Sequence, residues 1–194
     1  MRRMDGLSAF MLEQESTGAY MHTLKIAVLD TANIPGGWDF KRFRNSLADR
    51  IHLLPMFRWK FLKVPLGLHH PVWVDDPDFD LDYHVRRIAC PAPGDRQAFC
   101  DLISQVYAYQ MDQSKPLWML WVAEGLEDGN VALITLLHHA YTDGTGAARL
   151  LTRFYSEEPQ DIEPPAQAWT PASPPGRAAL LGRALVDLPV TLYH

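Results

Sequence analysis

Leu133-Ile134-Thr135-Leu136-Leu137-His138-His139-Ala140-Tyr141-Thr142-Asp143-Gly144 is the stretch on which the reading of this chain turns. Its opening residues are apolar or β-branched, the pattern of a buried strand, and two imidazoles stand where that strand ends. Asp143-Gly144-Thr145-Gly146 is too small and polar to prolong a strand. It reads as a turn that opens a helix, with Asp143 or Thr145 as the N-cap. Side chains held on a loop between rigid elements are where chemistry is commonly found. Neutral histidine is also the side chain best matched to accepting a proton near pH 7.

Toward the N-terminus, Leu117 to Glu124 and Val131 to Leu137 read as two strands around Leu126-Glu127-Asp128-Gly129-Asn130, whose Asp-Gly is a hairpin signal. That hairpin sets Pro116, Leu117 and Trp118 at the same end of the sheet as the histidines. Asp95 caps a helix running to about Met111, with Phe99, Leu102, Ile103 and Val106 on its inner stripe. Trp59 to Val64, Val72 to Asp75 and Tyr83 to Ile88 read as short strands, and Met21 to Leu29 as another. Asp39 caps a helix that Pro55 stops; its Lys41, Arg42, Arg44 and Arg50 form a solvated basic face rather than a lipid-binding one. The acidic run Asp75, Asp76, Asp78, Asp80 and Asp82 lacks the glycine and closing glutamate of a calcium loop, so it reads as a solvated connector. His69-His70, in a Gly/Pro-flanked loop without a third ligand nearby, reads as surface.

Toward the C-terminus, Gly144 to Tyr155 reads as a helix with Ala147, Ala148, Leu150, Leu151 and Phe154 inside. Pro159, Pro164, Pro165, Pro171, Pro174 and Pro175 then mark a linker, and Ala178 to Leu188 one more helix. Residues 1–155 are therefore expected to form a lobe, and residues 156–194 a Pro-rich interdomain linker with a terminal helix.

A net charge of −5 without a basic stripe argues against nucleic-acid binding. Cys90 and Cys100 provide no disulfide framework, and no apolar run has the length of a transmembrane helix. The opening Met1-Arg2-Arg3-Met4-Asp5-Gly6 lacks the apolar core of a signal peptide. A cytoplasmic protein is expected, at most peripheral on a membrane or lipid inclusion.

His138-His139-x-x-x-Asp143-Gly144 resembles the H-H-x-x-x-D-G signature of a superfamily of acyltransferases that includes chloramphenicol acetyltransferase and condensation domains of peptide synthetases. Three further stretches narrow the resemblance to the bacterial bifunctional wax ester synthase/diacylglycerol acyltransferase family. They are Phe79 to Val85, Asp112 to Trp118 with its Pro116-Leu117-Trp118, and Met21-His22 after Leu7-Ser8-x-Phe10. Together these span residues 4 to about 155 in the family's order. The resemblance implies an α+β, chloramphenicol-acetyltransferase-like lobe: a mixed, largely antiparallel sheet with helices packed on it. It also implies an acyl-CoA-dependent O-acyltransferase making wax esters or triacylglycerol, with His139 as general base and His138 supporting it. Asp143 would shape the loop, Gly144 would permit its tight backbone, and Pro116, Leu117 and Trp118 would line or shape the pocket.

The implied partners are acyl-CoA, a long-chain alcohol or diacylglycerol, and a C-terminal lobe beyond the linker. Acyl-CoA is a substrate, and no cofactor is expected. Without a Gly-x-Ser-x-Gly elbow, a covalent serine route lacks its usual signal. A metal site is a poorer reading, because neighbouring strand residues face opposite sides. The rival functions are a catalytically silent lipid-binding relative and a condensation-like enzyme using a carrier protein.

Overall fold

The computed structural model describes residues 1–16, 18–141 and 169–191. The histidine strand forms as the continuous apolar run predicts, because it is covered on both faces. β2 (His22–Leu29), β7 (Val131–His138), β6 (Trp118–Glu124) and β5 (Val85–Ala89) lie side by side in that order. β7 runs antiparallel to both neighbours, while β5 runs parallel to β6. Every residue of β7 is buried, and so is all of β6 except Glu124. The hairpin between them bends at Glu127–Gly129, where Asp128 (φ 67°) and Gly129 (φ 72°) both take left-handed backbone. Asp and Gly are the residues that tolerate it.

A second sheet, β1 (Arg2–Arg3), β4 (Val72–Asp75) and β3 (Trp59–Leu62), is antiparallel throughout. The sequence reading foresees its two longer strands without separating them from the histidine sheet. The helices start where their caps predict. The Asp39 carboxylate accepts from Arg42 N at 2.6 Å to open α2 (Phe40–Arg50), and Asp95 accepts from Ala98 N at 2.9 Å to open α4 (Arg96–Tyr107). Between β1 and β2, α1 (Gly6–Gln14) opens on Asp5, which accepts from Ser8 N at 2.9 Å. Its Ala9 and Leu12 are buried, while Leu7 and Phe10 remain exposed.

Two expectations are corrected. The strand predicted from Tyr83 begins at Val85, because Asp80 accepts from Asp82 N at 2.9 Å and winds Leu81–His84 into one helical turn, α3. The acidic run is not uniformly solvated: Asp76 is fully buried, 2.7 Å from the Lys60 ammonium, whereas exposed Asp82 pairs with Arg44. His69 and His70 are half-buried, ring to ring at 5.5 Å, with His69 Nδ1 accepting the His70 amide.

The predicted terminal helix is α5 (Arg177–Thr191), which packs Leu180 against Val72, Val74 and Leu62 of the second sheet. The segment before it is fastened to the same sheet: Trp169 lies 4.3 Å from the Arg58 guanidinium, and Ala172 N donates to Asp75 at 2.9 Å. The helix expected over Gly144–Tyr155 lies outside the described residues.

Candidate active site

The last residue of β7 and the first residue beyond it are held by both neighbouring strands. His138 N donates to Leu117 O at 3.1 Å, at the start of β6, and His139 N donates to Met21 O at 2.8 Å, just before β2. The chain then turns through a short 3-10 segment, His139–Tyr141. The two histidines leave this clamp in different surroundings.

His138 is fully buried. Its Nδ1 accepts the Ala140 amide at 2.9 Å, which places the ring proton on Nε2. That Nε2 faces the carboxylate of Glu15 at 3.6 Å; the Glu15 side chain is itself 1% exposed. Burial first, and then neighbouring His22 and His139, push the His138 pKa down to about 4. His138 is thus neutral in the fold, its ring tied to the turn through the Ala140 amide.

His139 is half-buried and opens onto a cavity of about 370 Å³. Leu7, Met11, Met56, Trp59, Trp73 and Tyr141 supply its apolar wall, while Arg2, Asp5 and Ser8 stand at its polar side. Tyr141 braces that wall. Its hydroxyl accepts Leu117 N at 3.3 Å and donates to Trp59 O, and burial raises its pKa, so the phenol stays protonated. α1 packs against the His139–Tyr141 turn, which brings Leu7, Ser8 and Met11 to the site.

The sequence-predicted residues separate accordingly. His138 and His139 are adjacent but face different environments. Pro116, Leu117 and Trp118 do not line the cavity at His139; they pack behind it. Leu117 is 0% exposed and Trp118 is 1% exposed. Trp118 stacks on His84 at 4.5 Å and donates Nε1–H to Phe57 O at 2.8 Å, so it carries core packing. Asp143 and Gly144 lie outside the described residues. Among the described residues, no group of His, Cys, Asp and Glu is arranged to hold a metal ion.

Glu15, His22, Tyr141 and the α1 wall were missed by sequence reading. For α1 a signal exists, since Leu7-Ser8-Ala9-Phe10-Met11-Leu12 has no polar stripe and carries more apolar surface than burial of Ala9 and Leu12 uses. Glu15 gives none: Glu13-Gln14-Glu15-Ser16 looks like any solvated helix end.

The antiparallel-rich sheet with its helices has the chloramphenicol-acetyltransferase-like fold, shared with solved condensation-domain and wax ester synthase structures. The first condensation domain of a calcium-dependent antibiotic synthetase superposes with a TM-score of 0.62 at 14% identity, over 78% of this chain and 35% of that one, a likeness of fold alone. Within that class, this chain belongs to the wax ester synthase/diacylglycerol acyltransferase catalytic-domain family, whose family model matches residues 4–193. The wax ester synthase/diacylglycerol acyltransferase of Marinobacter aquaeolei VT8 is similar, with a TM-score of 0.66 and 29% identity over 85% of this chain and 39% of that one.

A Mycobacterium tuberculosis H37Rv protein with the provisional name diacylglycerol O-acyltransferase is 51% identical over 192 residues, covering 99% of this chain and 41% of the relative. A shorter relative from the same organism, the "Probable diacyglycerol O-acyltransferase tgs3", is 36% identical over 93% of this chain and 65% of its own length. The chain therefore spans about two fifths (41%) of the length of the 51%-identical relative. The resemblance read from the motifs is borne out at the level of family and fold.

Proposed function

We propose that this chain is the histidine-bearing N-terminal lobe of an acyl-CoA-dependent O-acyltransferase that makes neutral lipid, wax ester or triacylglycerol. The observation that carries the reading is the His139 imidazole on the wall of a largely apolar cavity, on a turn fixed by two strands. Family membership and the names of the relatives support it. His139 takes the hydroxyl proton of a long-chain alcohol or diacylglycerol as the oxygen attacks the thioester carbonyl. The tetrahedral intermediate collapses, the C–S bond breaks, and the proton passes from His139 to the departing thiolate of coenzyme A. No acyl-enzyme forms and no cofactor takes part. His138 holds the turn, Asp143 and Gly144 complete the H-H-x-x-x-D-G motif in a supporting role, and a C-terminal lobe closes the cavity from water. The lipid acceptors place the enzyme peripherally on a membrane or lipid-inclusion surface; among the described residues no helix is long and apolar enough to cross a membrane.

The test is an assay of the intact protein with a long-chain acyl-CoA and either hexadecanol or a diacylglycerol, following free thiol and ester together. Thiol release that requires the acceptor and matches ester formation supports the reading. Release without acceptor would make the protein a thioesterase, and no release with either acceptor would remove the acyltransferase reading.

A further inference from the structure

Buried polar groups are nearly always partnered, so orphaned ones point to a role. Behind the His139 turn three such atoms gather: His138 Nε2, Glu15 Oε1 and His22 Nδ1 have no hydrogen-bond partner among the described residues. His22 faces His138 directly across the β2–β7 ladder, and its Nε2–H is spent on Tyr107 O at 2.9 Å. Its remaining nitrogen is an acceptor, and so is the Glu15 carboxylate. Among the described residues, the unpartnered donor beside these acceptors is the Nε2–H that His138 must carry while its Nδ1 accepts from Ala140. The charge decides that competition. Glu15 Oε2 is 3.6 Å from His138 Nε2, a movement of about half an ångström from a hydrogen bond, and a carboxylate outbids a neutral imidazole as acceptor. Gln113 Nε2 donates to the same Glu15 oxygen at 2.7 Å and fixes the carboxylate from the far side.

We propose that Glu15 is a positioning residue for His139: it receives the Nε2–H of His138 and thereby keeps His138 Nδ1 aimed at the Ala140 amide that sets the turn. The chain of contacts is Gln113 to Glu15 to His138 to Ala140, with His139 carried on the turn it fixes. Glu15 does not line the His139 cavity, so it acts through His138 and not on substrate. The functional half of this inference rests on His139 being the base. The hydrogen-bonded half does not.

The experiment reads both halves on the intact protein. Side-chain ¹⁵N NMR should show His138 protonated on Nε2 alone in the wild type and sampling both tautomers in Glu15→Ala. In the same variant kcat should fall about 10–100-fold with KM unchanged, the loss that misplacement of a reacting group by an ångström or less produces. Glu15→Gln keeps an acceptor oxygen and should restore the tautomer and most of kcat. Gln113→Ala, whose fold is less at risk, should give an intermediate tautomer mixture and a smaller kcat loss, and it decides the matter if Glu15→Ala does not fold. A single Nε2–H tautomer with wild-type kcat per folded molecule in Glu15→Ala, or in Gln113→Ala where that variant stands in, overturns the proposal. So does a Glu15→Gln variant as impaired as Glu15→Ala. A protein that transfers no acyl group, yet shows the tautomer following Glu15, would sink the functional reading and leave the positioning contact standing.

Discussion

His22 stands directly opposite His138 in the β2–β7 ladder, and both rings are buried at 3% and 0% exposure. Cross-strand neighbours of this kind meet at close range, so two positive charges there would repel in a medium that screens them poorly. Both rings answer by resisting protonation. Burial chiefly lowers the proton affinity of His22, as it does that of His138. The ladder thus holds a neutral imidazole pair behind the accessible His139.

Acid should destabilise the fold through these buried rings. His138 and His84 are each held at about 4 against an ordinary value of 6.5, in both cases mainly by burial. As pH falls from 6.5 the unfolded chain takes up protons that the folded chain refuses until about 4. Stability is therefore complete above about pH 6.5 and falls through that window, by on the order of 3 kcal/mol per ring. Urea midpoints at pH 7.5, 5.5 and 4.5 measure this, and His138→Gln should remove one ring's share of the slope. Equal midpoints across the range would show that these rings titrate normally.

His139→Ala should lower kcat about 10²–10⁴-fold, the usual contribution of a general base. Its backbone bond to Met21 survives the substitution and its side chain is half-buried, so the melting temperature should hold within a few degrees. Circular dichroism and steady-state assays on one preparation check both. Activity within twofold of wild type would remove His139 from the chemistry.

Trp118→Ala should act on stability instead of substrate binding. Trp118 is 1% exposed, stacked on His84 and hydrogen-bonded to Phe57, so truncation should cost about 3–5 kcal/mol. KM for the folded fraction should stay near wild type, since the indole does not reach the His139 cavity. A raised KM in a protein of normal stability would return Trp118 to the pocket wall.

The central hairpin was legible because its signals are local. An apolar run covered on both faces needs no alternation, and Asp128-Gly129 announces its own turn. The helix starts at Asp39 and Asp95 were legible for the same reason. The histidine pair was found by its position, yet its division of labour depends on distant chain. That His138 is buried depends on chain as distant as His22 on β2 and Glu15 beside its ring, and that His139 opens on a cavity follows from α1 and the second sheet. Glu15 reaches His138 across more than a hundred residues of sequence, a separation that no periodicity encodes. Asp76 misled for a related reason: a carboxylate in an acidic run looks solvated until the lysine that accompanies it inward is known.

That lysine gives the last prediction. Asp76 is 0% exposed; its Oδ1 accepts from Lys60 Nζ at 2.7 Å and from Asp78 N at 3.2 Å, while Oδ2 has no partner among the described residues. The buried charge thus depends largely on one ammonium. Lys60→Met should cost about 3–5 kcal/mol, because it strands a carboxylate where water cannot reach it. Asp76→Asn in the same chain should recover much of that loss: the amide keeps an acceptor for Asp78 N and carries no charge to compensate. The pair sits on β3 and at the end of β4, with Asp76 N donating to Arg58 O at 2.8 Å, beside the Trp59 and Trp73 that wall the His139 cavity. Lys60→Met should therefore also loosen the cavity, raising hydrogen exchange at Trp59 and Tyr141 before global unfolding. Denaturation of the two single variants and the double variant closes the cycle, and strictly additive effects would show that Asp76 does not rely on Lys60.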